Sequence, residues 1–189
     1  MFVAFDLETD GTRNDCQISQ FAGIAYNDDF TPREELQFKV QFDVTKAEPE
    51  ALAVNHYTAD AWLDAVAPLT ACVKIGAFLK RHADVRLISK RTGRPYTVAR
   101  LCGFNCAVFD QPKLYSLFTK CNQFLPASFQ TLDILQRALF YFTEHRLEMP
   151  ENFQLGTLMQ HFGLEFDGEA HDALADVKAT VAVYRAMIG

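Results

Sequence analysis

Residues 2–8, F-V-A-F-D-L-E, start as an unbroken apolar run and end in charge. A short apolar run of this kind reads as a buried strand. Residues 17–27 and 35–43 alternate apolar and polar positions at the two-residue period of a strand, and N-D-D-F between them reads as a turn. Three strands so spaced predict a β-meander. The period then changes. Thr58 is a good N-cap and 58–66 reads as a short helix. Pro68 opens a longer helix in which Ala71, Ile75, Phe78 and Leu79 keep helical spacing. Residues 85–91 and 95–103 are extended runs around T-G-R, which predicts a β-hairpin there, with L-C-G-F-N as a buried strand leaving it. Helices are expected near 110–120, 131–146, 154–162 (closed by Gly163) and 172–188, the last with Ala173, Val177, Val181 and Tyr184 in one stripe. Strands early, helices late and helices between the late strands predict one α/β domain over 1–189, a mixed central sheet flanked by helices.

Composition supports a full core, with 49% hydrophobic and 22% charged residues in a chain of 189. No apolar run approaches the ~20 residues that span a bilayer. The N-terminus carries no basic segment before its apolar stretch, so it is not read as a secretory signal. The expectation is a soluble, cytoplasmic protein with no membrane partner. Cys16, Cys72, Cys102, Cys106 and Cys121 are odd in number and do not fall into a zinc-type double pair. They read as reduced core thiols. The net charge of −6 is unevenly spread. Lys80, Arg81, Arg86, Lys90, Arg91, Arg94 and Arg100 face only Asp84 within one short stretch, so the predicted hairpin near 85–100 is basic and the remainder more acidic than the total suggests. An acidic body with a basic arm suits a protein that gathers cations in one place and meets a polyanion in another.

The chemistry begins at Asp6 and Glu8. Residues two apart on a strand share a face, so these carboxylates lie together, while Phe5 and Leu7 take the other side. Adjacent carboxylates repel unless a proton or cation lies between them, and hard divalent ions prefer oxygen ligands. A lone D-x-E is common and carries little. Further along, G-F-N-C-A-V-F-D puts Asp110 at a helix start, where an acid can equally be an N-cap. Near the C-terminus, A-H-D-A-L-A-D places His171 five residues before Asp176, the histidine in a loop and the acid on the last helix.

This ordered set, with E-T-x-G-T, Q-F-A-G-I, G-F-N-x-x-x-F-D, F-x-L-x-x-L and A-H-D-A-L-A-D-V-x-A-T, resembles the DEDDh family of 3′→5′ exonucleases, also called DnaQ-like or RNase T-like, and within it the bacterial exonuclease I subgroup. The resemblance covers nearly the whole chain and implies a single ribonuclease H-like domain with the basic hairpin as an insertion. It implies that Asp6, Glu8, Asp110 and Asp176 bind two Mg²⁺ ions, with Mn²⁺ as a substitute, and that His171 is the catalytic base. Asp6 would bridge the ions, Glu8 and Asp176 would complete the water-binding site, and Asp110 would support the second ion. Thr9, Gly11, Glu50, Asn55, Phe104 and Asn105 are the candidate substrate-binding residues. Two departures stand out: Phe104 replaces a histidine common before the motif's Asn, and N-H-Y-T stands where relatives read H-G-I-T, so Asn55 takes a histidine's place.

The implied activity is metal-dependent hydrolysis of phosphodiester bonds from the 3′ end of single-stranded nucleic acid, DNA favoured, releasing nucleoside 5′-monophosphates. An exoribonuclease or RNA-processing enzyme of the same family is the alternative, and proofreading, DNA repair and RNA processing all use this core. A homodimer or a polymerase partner is compatible with it. A non-catalytic nucleic-acid-binding module would not need four acids. A haloacid-dehalogenase-type phosphatase reading of D-G-T at 10–12 fails, because its nucleophile would fall on Glu8 where that chemistry uses Asp.

Overall fold

In a computed structural model of the chain, residues 1–165 and 172–189 are described. Strands β1 (Phe2–Thr9), β2 (Ile18–Tyr26) and β3 (Pro32–Lys39) form the expected antiparallel meander. Two later strands, β6 (Leu101–Gly103) and β7 (Leu132–Asp133), join it in parallel to give the order β3-β2-β1-β6-β7. Between them in sequence, β4 (Val85–Ile88) and β5 (Pro95–Val98) make a separate antiparallel hairpin. The helices are α1 (Pro49–Val54), α2 (Pro68–Arg81), α3 (Asp110–Lys120), α4 (Ile134–Glu144), α5 (Leu155–His161) and α6 (Ala173–Ala186). No helix among the described residues is long and apolar enough to cross a membrane.

The two-residue period of β1 divides the core. Val3, Phe5 and Leu7 meet Ala71, Ile75, Phe78 and Leu79 of α2 and Leu114 and Phe118 of α3. Phe2 and Ala4 meet the opposite layer, Ile134, Ala138 and Phe142 of α4, Leu158 of α5 and Val177, Val181 and Val183 of α6. Each large side chain buried here stabilises the fold by ~1.5–3 kcal/mol. Asp6 and Glu8 continue the Phe2–Ala4 face, so the acids emerge where α6 begins rather than in its middle.

Two expectations shift. The helix expected over 58–66 contracts to a 3-10 turn at Asp60–Trp62, with Thr58 Oγ1 accepting the Ala61 amide at 3.1 Å. The α-helix of that region is α1, which Pro49 starts at a position where its missing N–H costs nothing. The third strand runs earlier than 35–43, ending at Lys39; Val40 beyond it still donates to Ser19 O at 2.8 Å and forms a parallel bridge with Val66. The hairpin stands at the end of the sheet remote from the acids. The Met1 amino group lies 3.3 Å from Asp84, beside β4, and the Val3 amide donates to Arg100 O, after β5, at 2.8 Å. From Phe2 to Glu8, β1 advances ~20 Å at its usual rise.

A candidate metal centre at the ends of β1 and α6

Carboxylate oxygens of Asp6, Glu8 and Asp176 lie within 4.8 Å of one another. Strand alternation presents the first two; Glu8 is buried and Asp6 half-buried. Asp176 belongs to the first turn of α6, whose N-cap is Asp172, accepting from the Leu174 and Ala175 amides at 3.0 and 3.2 Å. The positive end of the helix dipole therefore faces the acids.

Asp110 lines the same cavity, of about 380 Å³, together with Phe104, Asn105 and Phe109. The N-cap of α3 is Phe109 with no side-chain cap bond, so Asp110 is the first helical residue and its carboxylate is not the capping group the sequence allowed. A tight turn delivers it. Asn105 takes φ 54°, and its carbonyl accepts the Val108 and Phe109 amides. Asp133, the N-cap of α4, reaches across to accept the Ala107 amide at 3.0 Å. Gly103 is required beneath this turn, since a Cβ there would stand 2.6 Å from the Cys106 Cβ.

The charges crowd. Burial, and then the charges of Asp110, Glu8, Asp176 and Asp172, hold the Asp6 carboxyl well above its ordinary range. Burial, followed by Asp176 and Asp110, pushes Glu8 up to about 8. Burial raises Asp110 to about 7 against the opposing charge of Lys113. Lys113 is itself buried, its Nζ 3.6 Å from the centroid of the Phe109 ring. Without a cation this cluster competes for protons at neutral pH. The donors are all carboxylate oxygens, a set that fits hard divalent ions and not soft thiophilic ones.

Beyond the acids, β1 ends in a bulge. Glu8 pairs with Gln20 and Thr9 with Ile18, which leaves Ser19 as the extra residue. Bulges of this kind re-aim side chains and recur beside functional sites. Asn55 fills the gap, its Nδ2 donating to Thr9 O at 2.8 Å and Ser19 Oγ at 3.3 Å. Half of its amide is thus committed to the fold. His56 beside it takes φ 50°, where N-H-Y-T replaces the glycine of H-G-I-T. Thr9 Oγ1 donates to Gly11 O at 2.7 Å. A Cβ at Gly11 would meet the Glu48 carboxylate at 2.6–2.9 Å. Glu48 also accepts the Thr12 amide at 3.1 Å and pairs with Arg13 at 2.9 Å. Sequence reasoning chose Glu50, which is exposed on α1, and missed Glu48, which clamps the loop after the acids. Nothing in E-P-E signals which glutamate turns inward. Phe104 and Asn105 do border the acid cavity. His171 lies outside the described residues; it directly precedes Asp172 in the chain.

Neither a family model nor a curated protein matches the sequence. Solved structures do match. E. coli exonuclease I in complex with a dA16 oligonucleotide superposes with a TM-score of 0.73 at 22% identity, over 98% of this chain and 40% of that one. The zinc-ion-bound form of the E. coli exonuclease I–single-stranded DNA complex gives 0.75 at 23% identity, over 97% and 39%. A product-bound exonuclease I gives 0.75 at 21%, over 98% and 42%. The chain therefore has the fold of the exonuclease I nuclease core, a ribonuclease H-like mixed sheet flanked by helices. It spans about two-fifths of the length of those proteins.

Proposed function

We infer that residues 1–189 form a single 3′→5′ exonuclease domain that hydrolyses single-stranded nucleic acid, DNA in preference to RNA, and releases nucleoside 5′-monophosphates. The observation that carries this reading is the convergence of Asp6, Glu8 and Asp176 within ligand distance, with Asp110 in the same cavity. A fold shared with exonuclease I supports it. The cluster fits divalent cations of the Mg²⁺ or Mn²⁺ type, which Asp6, Glu8 and Asp176 would hold, with Asp110 supporting a second ion. Such ions, when bound, lower the pKa of a coordinated water and offset charge on phosphate and leaving oxygens.

The residues of the chain have separate tasks. The four carboxylates fix where positive charge sits, and they repel phosphate when no cation is present. His171 takes a proton from the attacking water, a role that imidazole's ordinary pKa of ~6.5 suits at neutral pH. Phe104 offers a ring for stacking a base, a grip that ignores sequence. Lys113 packs beneath Phe109 and partly offsets the Asp110 charge, which keeps that wall of the cavity in place.

The decisive experiment follows a 5′-labelled single strand with Mg²⁺, beside matched duplex and RNA strands and an EDTA control. Stepwise shortening from the 3′ end that stops in EDTA is the expected result. A strand that stays intact with metal removes the nuclease reading. Retained strand binding in EDTA without cleavage in metal would instead make the chain a binding module.

A further inference from the structure

The main sheet has two edges, β3 and β7, and a polymer whose end lies at the acids can leave along either. The segment that becomes β7 joins the sheet early, at a parallel bridge between Ala127 and Ala99, where the Ser128 amide donates to Ala99 O at 2.8 Å. It ends at Asp133, paired with Gly103, and Asp133 accepts the Ala107 amide in the turn that delivers Asp110. This edge therefore runs from the hairpin to the acids. Ala127 to Leu132 takes five residues where Ala99 to Cys102 takes three, so the edge bulges between them. Phe129 stands on that bulge, 71% exposed, its ring centroid 4.8 Å from that of Tyr115 on α3. Nearer the hairpin, Phe124 is 62% exposed and meets Tyr96 of β5 edge to face at 6.2 Å. Exposed rings steadied by a second ring offer open faces on which bases of any sequence can stack.

Charge separates the two edges. Residues 121–132 contain no charged side chain, and the Asp133 carboxylate is occupied by the Ala107, Leu135 and Gln136 amides. Arg100 borders a cavity of about 280 Å³ and Arg137 another of about 390 Å³, and the two cavities share Thr131 and Leu132. Beyond Tyr96 lie the exposed hairpin cations Lys90, Arg91 and Arg94. A polymer leaving along β3 instead meets Asp64 and Asp172, where Lys39 is already bound to Ala61 O, and then the exposed Glu35. Phosphates are repelled on that side and attracted on the other. We propose that a single strand leaves the acids along the β7 edge, its bases stacking on Phe129 and Phe124 and its phosphates meeting Arg137, Arg100 and then the hairpin. From Gly103 back to Tyr96 the neighbouring chain covers seven residues, ~23 Å at the usual strand rise, so only a strand of several nucleotides reaches the hairpin. The inference rests on the nuclease reading for the place of the 3′ end and adds to it a direction and the residues that grip.

Fluorescence anisotropy in EDTA tests this without cleavage, using a 5′-labelled thymidine strand of about fifteen nucleotides at several salt concentrations. Wild-type protein binds the strand. Phe129→Ala weakens binding about tenfold and leaves the salt slope as it was, whereas Phe129→Trp keeps the wild-type affinity. Arg100→Ala weakens binding and lowers the salt slope by ~0.7, the share of one phosphate contact. Arg33→Ala, which removes an exposed cation from β3, changes neither. Wild-type affinity in both Phe129→Ala and Arg100→Ala overturns the proposal, and so does a loss in Arg33→Ala that equals theirs. So does wild-type protein that binds no strand. Degradation of the same strand in Mg²⁺, measured in parallel, separates the two readings. Binding that depends on Phe129 and Arg100 without cleavage removes the exonuclease assignment alone, whereas cleavage with binding independent of both removes this one alone.

Discussion

Asn55 Nδ2 donates to the carbonyl of Thr9 at 2.8 Å and so closes the bulge at which β1 ends, one residue past Glu8. Two segments forty-six positions apart in the chain are joined there, the end of the acid-bearing strand and the C-cap of α1.

Removing that bond is expected to loosen the site before the fold. Asn55→Ala lowers unfolding stability by about 1–2 kcal/mol, since a carbonyl in the bulge loses its partner. Urea unfolding measures this, and an unchanged midpoint would mean that water replaces the amide without cost. Cleavage by the variant falls as Glu8 loses its fixed position.

The crowded acids give stability a pH dependence of definite sign. Folded-state pKa values are raised for Asp6, for Glu8 to about 8 and for Asp110 to about 7. Over this range the metal-free folded protein holds more protons than the unfolded chain, so stability is greatest below the ordinary carboxylate pKa and falls as pH rises through 7 to 8. Melting temperature in EDTA should therefore decrease from pH 5 to pH 8, other groups apart. Mn²⁺ should restore it, and more strongly at pH 8 than at pH 5. Equal metal-induced shifts at both pH values would show that the ion does not replace those protons.

Asp6→Asn and His171→Ala are expected to behave oppositely toward metal. Asp6→Asn relieves repulsion, so the metal-free variant melts higher than wild type at pH 8, and it loses both the Mn²⁺-induced shift and cleavage. His171→Ala keeps the Mn²⁺ shift while turnover drops by about 10²–10⁴, the usual worth of a general base. Calorimetry settles the assignment: loss of Mn²⁺ binding in His171→Ala would make the histidine a ligand.

The hairpin of β4 and β5 carries Arg86, Lys90, Arg91 and Arg94, all exposed. It lies near the start of β1, so only a strand long enough to pass along the sheet from the acids meets it. Replacing the four cations by alanine is expected to weaken binding of a long single strand and to reduce its salt slope by ~0.7 per lost phosphate contact. A trinucleotide should be unaffected. An unchanged slope on long strands would leave the hairpin a structural element only.

Much of this was legible in one dimension. The two-residue alternation of β1 dictated that Asp6 and Glu8 share a face, and the 3.6-residue stripe of α6 marked Ala173, Val177 and Val181 as core, whereas a meeting of Asp176 with the acids was implied only by the family resemblance. The expected helix at 58–66 went the other way, because Thr58 caps only a single turn once Trp62 is drawn under the bulge, where its Nε1 donates to Ser19 O at 3.3 Å. The duties of Asn55 and Glu48 had no local signature at all.

Period and chemistry along the chain determined which residues carry charge into an apolar layer, since strand alternation and helix pitch are local properties of the backbone. Which of them meet was decided only by the tertiary structure. A hydrogen bond between positions forty-six apart depends on how distant segments pack, and no short-range pattern encodes that.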